Sequence, residues 1–198
     1  MKRFLITTSA ALLIAGTINA QHSSQHSTIG IKGGLNVYNV NYENNSDSKS
    51  RVGFHAGLLG HLHLAPQLAL QPEVVYSQQG AKSEFQGVET KLNLGYVNVP
   101  ILVQYMFDNG FRLQAGPQIG FLLGAKTEIG NTEIDVKDQL NPIDFGIGAG
   151  IGYVDPSTGF GVDARYNLGL SNINDDANAQ KAYNRGFQLG VFYLFKHK

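Results

Sequence analysis

The chain has 198 residues, enough for one domain, and its 15 basic and 15 acidic side chains cancel in net charge. This balance gives no attraction to nucleic acid, and the lack of cysteine excludes both disulfides and the acylated cysteine of a bacterial lipoprotein. Charged residues make up only 15% of the chain, against about 25% in a typical soluble domain, so an ordinary charged surface is not expected.

Residues 1–20 have the pattern of a secretory signal peptide. Lys2 and Arg3 give a basic start, residues 4–16 are an apolar run, and a small-residue region ends at Ala20. The apolar run is shorter than the roughly 20 residues of a membrane-spanning helix, which disfavours an N-terminal anchor. We expect cleavage after Ala20, a polar leader at residues 21–28, and a folded domain at residues 29–198.

From Ile29 onward, apolar residues alternate with small or polar ones, which is the period of a β-strand. The segments are longer than the five or six residues usual in globular sheets, and their length suits the 9 to 11 tilted residues of a transmembrane strand. The alternation predicts eight strands, at residues 29–37, 52–64, 68–77, 97–105, 111–121, 143–153, 160–170 and 187–195.

The connections between these segments alternate in length. Short turns are predicted at 65–66, 108–110 and 155–159. Short periplasmic turns with longer outer loops and both termini in the periplasm are typical of transmembrane barrels, so we predict an all-β, eight-stranded antiparallel up-and-down transmembrane β-barrel. The long polar connections lie at 41–50, 81–90, 126–141 and 172–183.

The two faces of the predicted strands differ in chemistry. One face is continuously apolar and is expected to meet lipid; aromatic residues gather on it near the predicted periplasmic rim, at Tyr105, Phe111, Tyr153, Phe160, Tyr193 and Phe195. The other face is rich in glycine and charge. Because eight strands enclose a space just wide enough for side chains, we predict a lumen filled by a structural polar network. Its members are Lys32, His55, Glu73, Arg112, Asp144, Asp163 and Arg165.

The sequence contains no complete motif for a metal site, a nucleotide-binding loop or a catalytic centre. His55, His61 and His63 share a strand face, but no nearby carboxylate or cysteine completes a metal site. The glycines of 146–150 lie in a strand and open no helix, so they do not form a nucleotide loop, and the acidic pair at 175–176 is expected in a solvated turn. We therefore expect no metal, no cofactor and no enzymatic activity, although a site assembled from separate strands stays open.

Four segments, 31–36, 70–80, 96–102 and 113–120, carry a resemblance to the PorT-like family of small outer-membrane barrels of Bacteroidetes. The Ala20–Gln21 junction also resembles signal cleavage in that phylum. The resemblance implies an integral protein of the cell outer membrane, surrounded by its lipid and inserted by the barrel-assembly machinery. That machinery usually reads an aromatic residue at the end of the last strand. Because Lys196, His197 and Lys198 follow, the expected assembly signal is Tyr193 with Phe195.

The best-known member of that family is associated with protein secretion, but members differ widely and share no catalytic motif. We expect a non-enzymatic barrel with a plugged polar lumen and a structural, surface-interaction or secretion-associated role, in which the outer loops could contact a protein partner. The alternatives are a narrow passive channel for small solutes, a membrane-embedded hydrolase or acyltransferase, and a soluble lipocalin-like binder with inverted faces.

Overall fold

The computed structural model describes residues 27–43, 48–85, 88–130, 132–176 and 180–195. The predicted signal peptide and its cleavage site lie outside these ranges, as do residues 21–26 of the predicted leader and the last three residues. Ser27 and Thr28, which the sequence placed in the leader, already belong to the first strand. The strand therefore begins two residues before the apolar alternation makes it visible.

The described residues form nine strands and one short 3-10 helix at Lys137–Gln139. Among them no helix is both long and apolar enough to span a membrane. The strands are β1 (Ser27–Tyr42), β2 (Lys49–Ala65), β3 (Leu68–Phe85), β4 (Val88–Met106), β5 (Phe111–Ile129), β6 (Thr132–Asp135), β7 (Ile143–Val154), β8 (Phe160–Gly169) and β9 (Ala182–Leu194).

Eight of the described strands close into a ring in which each pairs with its neighbours antiparallel. The order runs β1, β2, β3, β4, β5, β7, β8 and β9, and a ladder from Gly30↔Leu194 to Tyr42↔Ala182 joins β9 back to β1. β6 stands outside the ring and pairs only with β5. This confirms the predicted eight-stranded up-and-down barrel.

The end of the barrel at which β1 begins and β9 ends, here the terminus end, has short turns. Two of them depend on glycine at positive φ, Gly110 (φ 90°) and Gly159 (φ 85°). A Cβ atom at Gly110 would lie 2.3 Å from the carbonyl oxygen of Val154, so the turn also needs the missing side chain. The predicted turns at 108–110 and 155–159 are confirmed.

The opposite end, here the loop end, differs from the expectation. β1 to β5 have 16 to 19 residues whereas β7 to β9 have 10 to 13, so one side of the barrel projects further. Most of the connection predicted at 81–90 is strand, and the one at 126–141 contains the end of β5, all of β6 and the 3-10 helix. These strands escaped prediction because both of their faces are polar there and the apolar alternation stops.

The faces of the ring are the reverse of those in a soluble barrel. Large apolar side chains point outward, for example Ile29 at 65% and Leu189 at 62% exposure, while Asn36, Glu73 and Ser77 are almost fully buried inside. On β5 the outward apolar band runs from Phe111 to Leu123, which suits a tilted crossing of a bilayer. The inverted faces of a lipocalin-like binder are not observed.

This assignment of faces predicts different effects for arginine at two equally exposed isoleucines. Ile147 lies in the apolar band on β7 and Ile134 on β6 outside the ring, and each side chain is 47% exposed. We expect Ile147→Arg to lower the free energy of unfolding in lipid vesicles by about 2 to 4 kcal/mol, because the charge enters hydrocarbon. Ile134→Arg should leave it nearly unchanged in the same denaturant titration. Equal effects would contradict the assignment.

Candidate functional site: the interior of the barrel

Four charged side chains meet at mid-height in the lumen. Lys32 Nζ on β1 donates to Asp163 Oδ2 at 2.7 Å and lies 3.5 Å from Glu73 Oε2. The guanidinium of Arg165 donates to both oxygens of Glu73, at 3.0 and 2.7 Å. Two cations and two anions, all buried, thus form a neutral quartet (Lys32, Glu73, Asp163 and Arg165).

The pair of Glu73 and Arg165 spans the barrel from wall to wall. Glu73 belongs to β3 and Arg165 to β8, and these strands lie four places apart in the eight-membered ring, on opposite sides. A fork-shaped guanidinium on a carboxylate is among the strongest hydrogen-bonded pairs in proteins. The bridge therefore occupies the centre of the lumen and fixes the distance between opposite walls at this level.

A chain of amides connects the quartet to Arg112 near the terminus end. Gln71 donates to Glu73 Oε1 at 2.7 Å, Gln104 donates to Gln71 and to Gln114, and Arg112 Nη1 lies 3.4 Å from Gln104 Oε1. Because these glutamines are uncharged, they do not stand out in the sequence. Their inward positions in the alternating pattern of β3, β4 and β5 were the available signal.

The remaining predicted residues lie closer to the loop end. His55 Nδ1 is 2.8 Å from Asn36 Oδ1, and the amide of Asn36 donates in turn to Ser77 Oγ at 3.0 Å. Asp144 is separate from both groups and accepts hydrogen bonds of 2.8 Å from Ser171 and from Asn184. All seven predicted lumen residues are buried, but they form one quartet and three outlying positions rather than a single cluster.

Apolar side chains close the lumen above and below the polar residues. At the terminus end Leu59, Val154, Phe192 and Leu194 form a small cluster. At the loop end the inward face of the strands turns apolar, and Ile173, from the connection between β8 and β9, packs against it with 1% exposure. That cluster is larger and contains Val40, Ala81, Leu94, Tyr96, Leu122, Ala125, Ile173 and Ala182.

Hydrogen bonds hold the segment around Ile173 over the mouth. The side chain of Asn141 donates to the carbonyl oxygens of Asn172 and Asn174 at 3.0 and 2.9 Å, and its backbone N–H donates to that of Ile173 at 2.8 Å. Ile173 also donates its N–H to Ala182 at 2.9 Å. The two connections after β5 and after β8 are therefore joined into one cover.

The other sequence candidates do not assemble into a chemical site. The rings of His61 and His63 lie edge to face with their centroids 4.6 Å apart. His55 lies closer to the loop end, beside Asn36. Among the described residues no group of three or more His, Cys, Asp or Glu could hold a metal ion. The glycines at 146–150 lie within β7. Asp175 lies in the cover, where its N–H donates to Gln139.

The two aromatic residues of the expected assembly signal lie at the terminus end. The Tyr193 ring contacts that of Phe160 at 4.7 Å and that of Phe195 at 5.3 Å between centroids. A second group of rings, Tyr105, Phe107 and Phe111, lies at the same end on β4, β5 and the turn between them. These rings stand at the edge of the outward apolar band, where an interfacial girdle is found in transmembrane barrels.

Comparison with protein families agrees with this architecture. Residues 19–175 match the family described as "Outer membrane protein beta-barrel domain". The chain belongs to this family. The match covers most of the chain, and together with the closed ring and its outward apolar band it establishes an integral protein of the outer membrane.

Solved structures show the same fold. Neisserial surface protein A is 14% identical with a TM-score of 0.60, and the match covers 86% of this chain and 99% of that one. Ail, the attachment invasion locus protein of Yersinia pestis, is 17% identical with a TM-score of 0.54 over the same shares. No curated protein matches the chain. At these identities the likeness concerns the fold alone.

The quartet predicts a large loss of stability when one partner is removed. Glu73→Gln would leave Arg165 and Lys32 short of a buried counter-charge, so we expect the free energy of unfolding to fall by about 3 to 5 kcal/mol in denaturant titrations in vesicles. Glu133→Gln is the matched control, since Glu133 pairs with Lys126 on the exposed surface; it should have little effect. A Glu73 variant as stable as the control would contradict a structural role for the bridge.

Proposed function

We propose that this barrel is a non-conducting, non-enzymatic outer-membrane protein that presents a rigid surface to a protein partner. The proposal that the barrel does not conduct rests on the filling of its lumen at three levels. The apolar cluster at the terminus end, the wall-to-wall bridge of Glu73 and Arg165, and the cover around Ile173 lie one above another along the axis. A solute would have to displace all three.

Conductance separates this proposal from the passive-channel alternative. We expect the unaltered protein to give no stepwise currents in planar lipid bilayers, because side chains fill the interior at all three levels. Glu73→Ala combined with Arg165→Ala removes the bridge and provides the comparison for a partly opened lumen. Regular single-channel steps from the unaltered protein would favour the passive channel and contradict the proposal.

The surface-interaction role is supported by the side of the barrel that projects. The ends of β3, β4 and β5 together with β6 continue the sheet past the apolar band, and we call residues 81–85, 88–93, 126–129 and 132–135 the loop-end sheet. Exposed ion pairs join neighbouring strands of this sheet: Lys126 on β5 to Glu133 on β6 at 2.8 Å, and Lys82 on β3 to Glu89 on β4 at 3.7 Å. A hydrogen bond from Lys91, two residues away on β4, lowers the pKa of the Glu89 carboxyl.

β6 gives the loop-end sheet an edge that a partner could use. Thr132, Glu133, Ile134 and Asp135 are all exposed, and the strand is hydrogen-bonded on one side only, to β5. An unpaired strand edge accepts an added strand from another polypeptide through backbone hydrogen bonds. Ail has been crystallised with the heparin analogue sucrose octasulfate. Here acidic and basic residues interleave on the loop-end sheet, which favours a polypeptide over a sulfated polysaccharide.

This role requires the loop end to face the cell exterior and the terminus end to face the periplasm. The chain has no cysteine, so single cysteines can report the orientation. We expect Thr132→Cys, on β6, to react with a membrane-impermeant maleimide on intact cells. Pro156→Cys, in an exposed turn of the terminus end, should react only after the outer membrane is opened. The reverse pattern would overturn the orientation and with it the surface role.

Export and assembly complete the proposal. We infer that the chain is exported with cleavage after Ala20 and inserted by the barrel-assembly machinery, with Tyr193 and Phe195 as the signal in the last strand. The position of both rings at the terminus end supports this. Segments 31–36, 70–80, 96–102 and 113–120 support placement among the PorT-like barrels of Bacteroidetes, for which a secretion-associated role is the second candidate.

A further inference from the structure

Arg112 is a buried cation without a counter-charge. It lies on the inner face of β5 at the terminus end with 6% exposure, and no ion pair joins it to a carboxylate among the described residues. Its Nη1 makes one long contact, 3.4 Å, to Gln104, and its Nε–H has no acceptor. The ring of Phe192 lies 5.9 Å from the guanidinium carbon. The quartet is neutral by itself and leaves no negative charge to spare for Arg112.

The side chain of Arg112 lines a cavity at the mouth of the barrel, at its terminus end. This cavity has a volume of about 320 Å³ and is also lined by His61, His63, Asp108 and Asp155. His61 is 2% exposed and neither of its ring nitrogens makes a hydrogen bond among the described residues. The side chain of Gln104 lies beside that ring, with its amide hydrogens directed to Gln71 and Gln114. Its Oε1 is thus a single acceptor that faces two donor groups, the imidazole of His61 and the guanidinium of Arg112.

Neither acidic residue of the cavity forms an ion pair with Arg112 in the part of the chain that the structure describes. The carboxylate of Asp155 accepts hydrogen bonds from Ser157 and Thr158 within its own turn, at 2.8 to 2.9 Å. Asp108 lines the same cavity, and among the described residues no ion pair joins it to Arg112. A buried guanidinium with unmet N–H donors, next to a histidine that can donate as well, is an arrangement that oxyanions satisfy.

We propose that the terminus-end mouth binds a small oxyanion, phosphate or carboxylate, between Arg112 and His61. The guanidinium supplies the charge and the directed N–H groups, and one ring nitrogen of His61 supplies a further donor. Phosphate chemistry could come from a free ion or from the headgroup of a phospholipid at the rim. The site does not depend on the surface role proposed above.

The test uses the full chain, ¹⁵N-labelled and folded in uncharged, phosphate-free detergent at constant ionic strength. Inorganic phosphate, acetate and a short-chain phosphatidylglycerol are titrated separately while the Nε–Hε signal of Arg112 is followed by NMR. We expect a saturable shift of this signal. Calorimetry should show binding weakened by about tenfold or more in Arg112→Gln, because a charge-assisted hydrogen bond is lost. Lys126→Gln, which removes an exposed lysine of the loop-end sheet, is the matched control and should bind as the unaltered protein does.

The arms of the titration distinguish the source of the anion. Saturation with inorganic phosphate or acetate identifies a free ion, and saturation with phosphatidylglycerol alone identifies a lipid headgroup. Arg112→Lys keeps the positive charge but loses the planar set of guanidinium N–H donors, so it should bind with intermediate affinity. This variant tests the site even where Arg112→Gln fails to fold. The absence of a saturable shift with all three probes overturns the proposal, as does binding that is equally strong in Arg112→Gln.

Discussion

In a hydrocarbon layer every backbone N–H and C=O must find a partner within the protein, and the ladder between β1 and β9 supplies the last of these partners. Without it the other strands would be an open sheet with two unpaired edges in lipid. Closing the ladder with eight strands fixes the width of the barrel, and the width in turn decides what the interior can hold. At the width of an eight-stranded barrel, side chains of ordinary size reach across the lumen, so residues of opposite walls can contact each other.

The wall-to-wall bridge shows how this reach is used. Glu73 and Arg165 meet at the centre because their strands face each other, and each neutralises the other. Lys32 pairs with Asp163 beside them, so the quartet leaves no buried charge uncompensated. Small residues make room around them. A Cβ atom at Gly190 would lie 2.6 Å from Asp163 Oδ1, and one at Gly186 would lie 2.5 Å from the ring of Tyr38. At these inward positions glycine is therefore a packing requirement of a narrow, filled lumen.

The eight strands of the ring, their order and the division into two faces could be predicted from the sequence, because apolar residues alternate with small or polar ones along each of them, as in β7 and the middle of β5. The loop-end sheet could not be predicted, because residues such as Lys82, Glu89 and Lys91 make both of its faces polar and the apolar alternation stops there. Its strands are joined by backbone ladders that leave no pattern in the sequence. Six of the seven predicted lumen residues stood out in the sequence by their charge and His55 by its imidazole, but which of them come into contact depends on the positions of their strands in the ring. Ile173, a single apolar residue in a polar connection, gave no periodic signal that it covers the mouth.

The unequal strand lengths give the barrel a high wall and a low wall. β4 has 19 residues and β8 has 10, so at the usual rise and tilt of barrel strands the high wall stands roughly 20 Å further from the membrane. A large molecule approaching along the surface therefore meets a barrier on one side and an open approach on the other. The barrel is therefore not equivalent on all sides of its axis. In a crowded membrane, the rotation of the barrel about this axis decides which neighbouring molecules can reach the cover above the lumen.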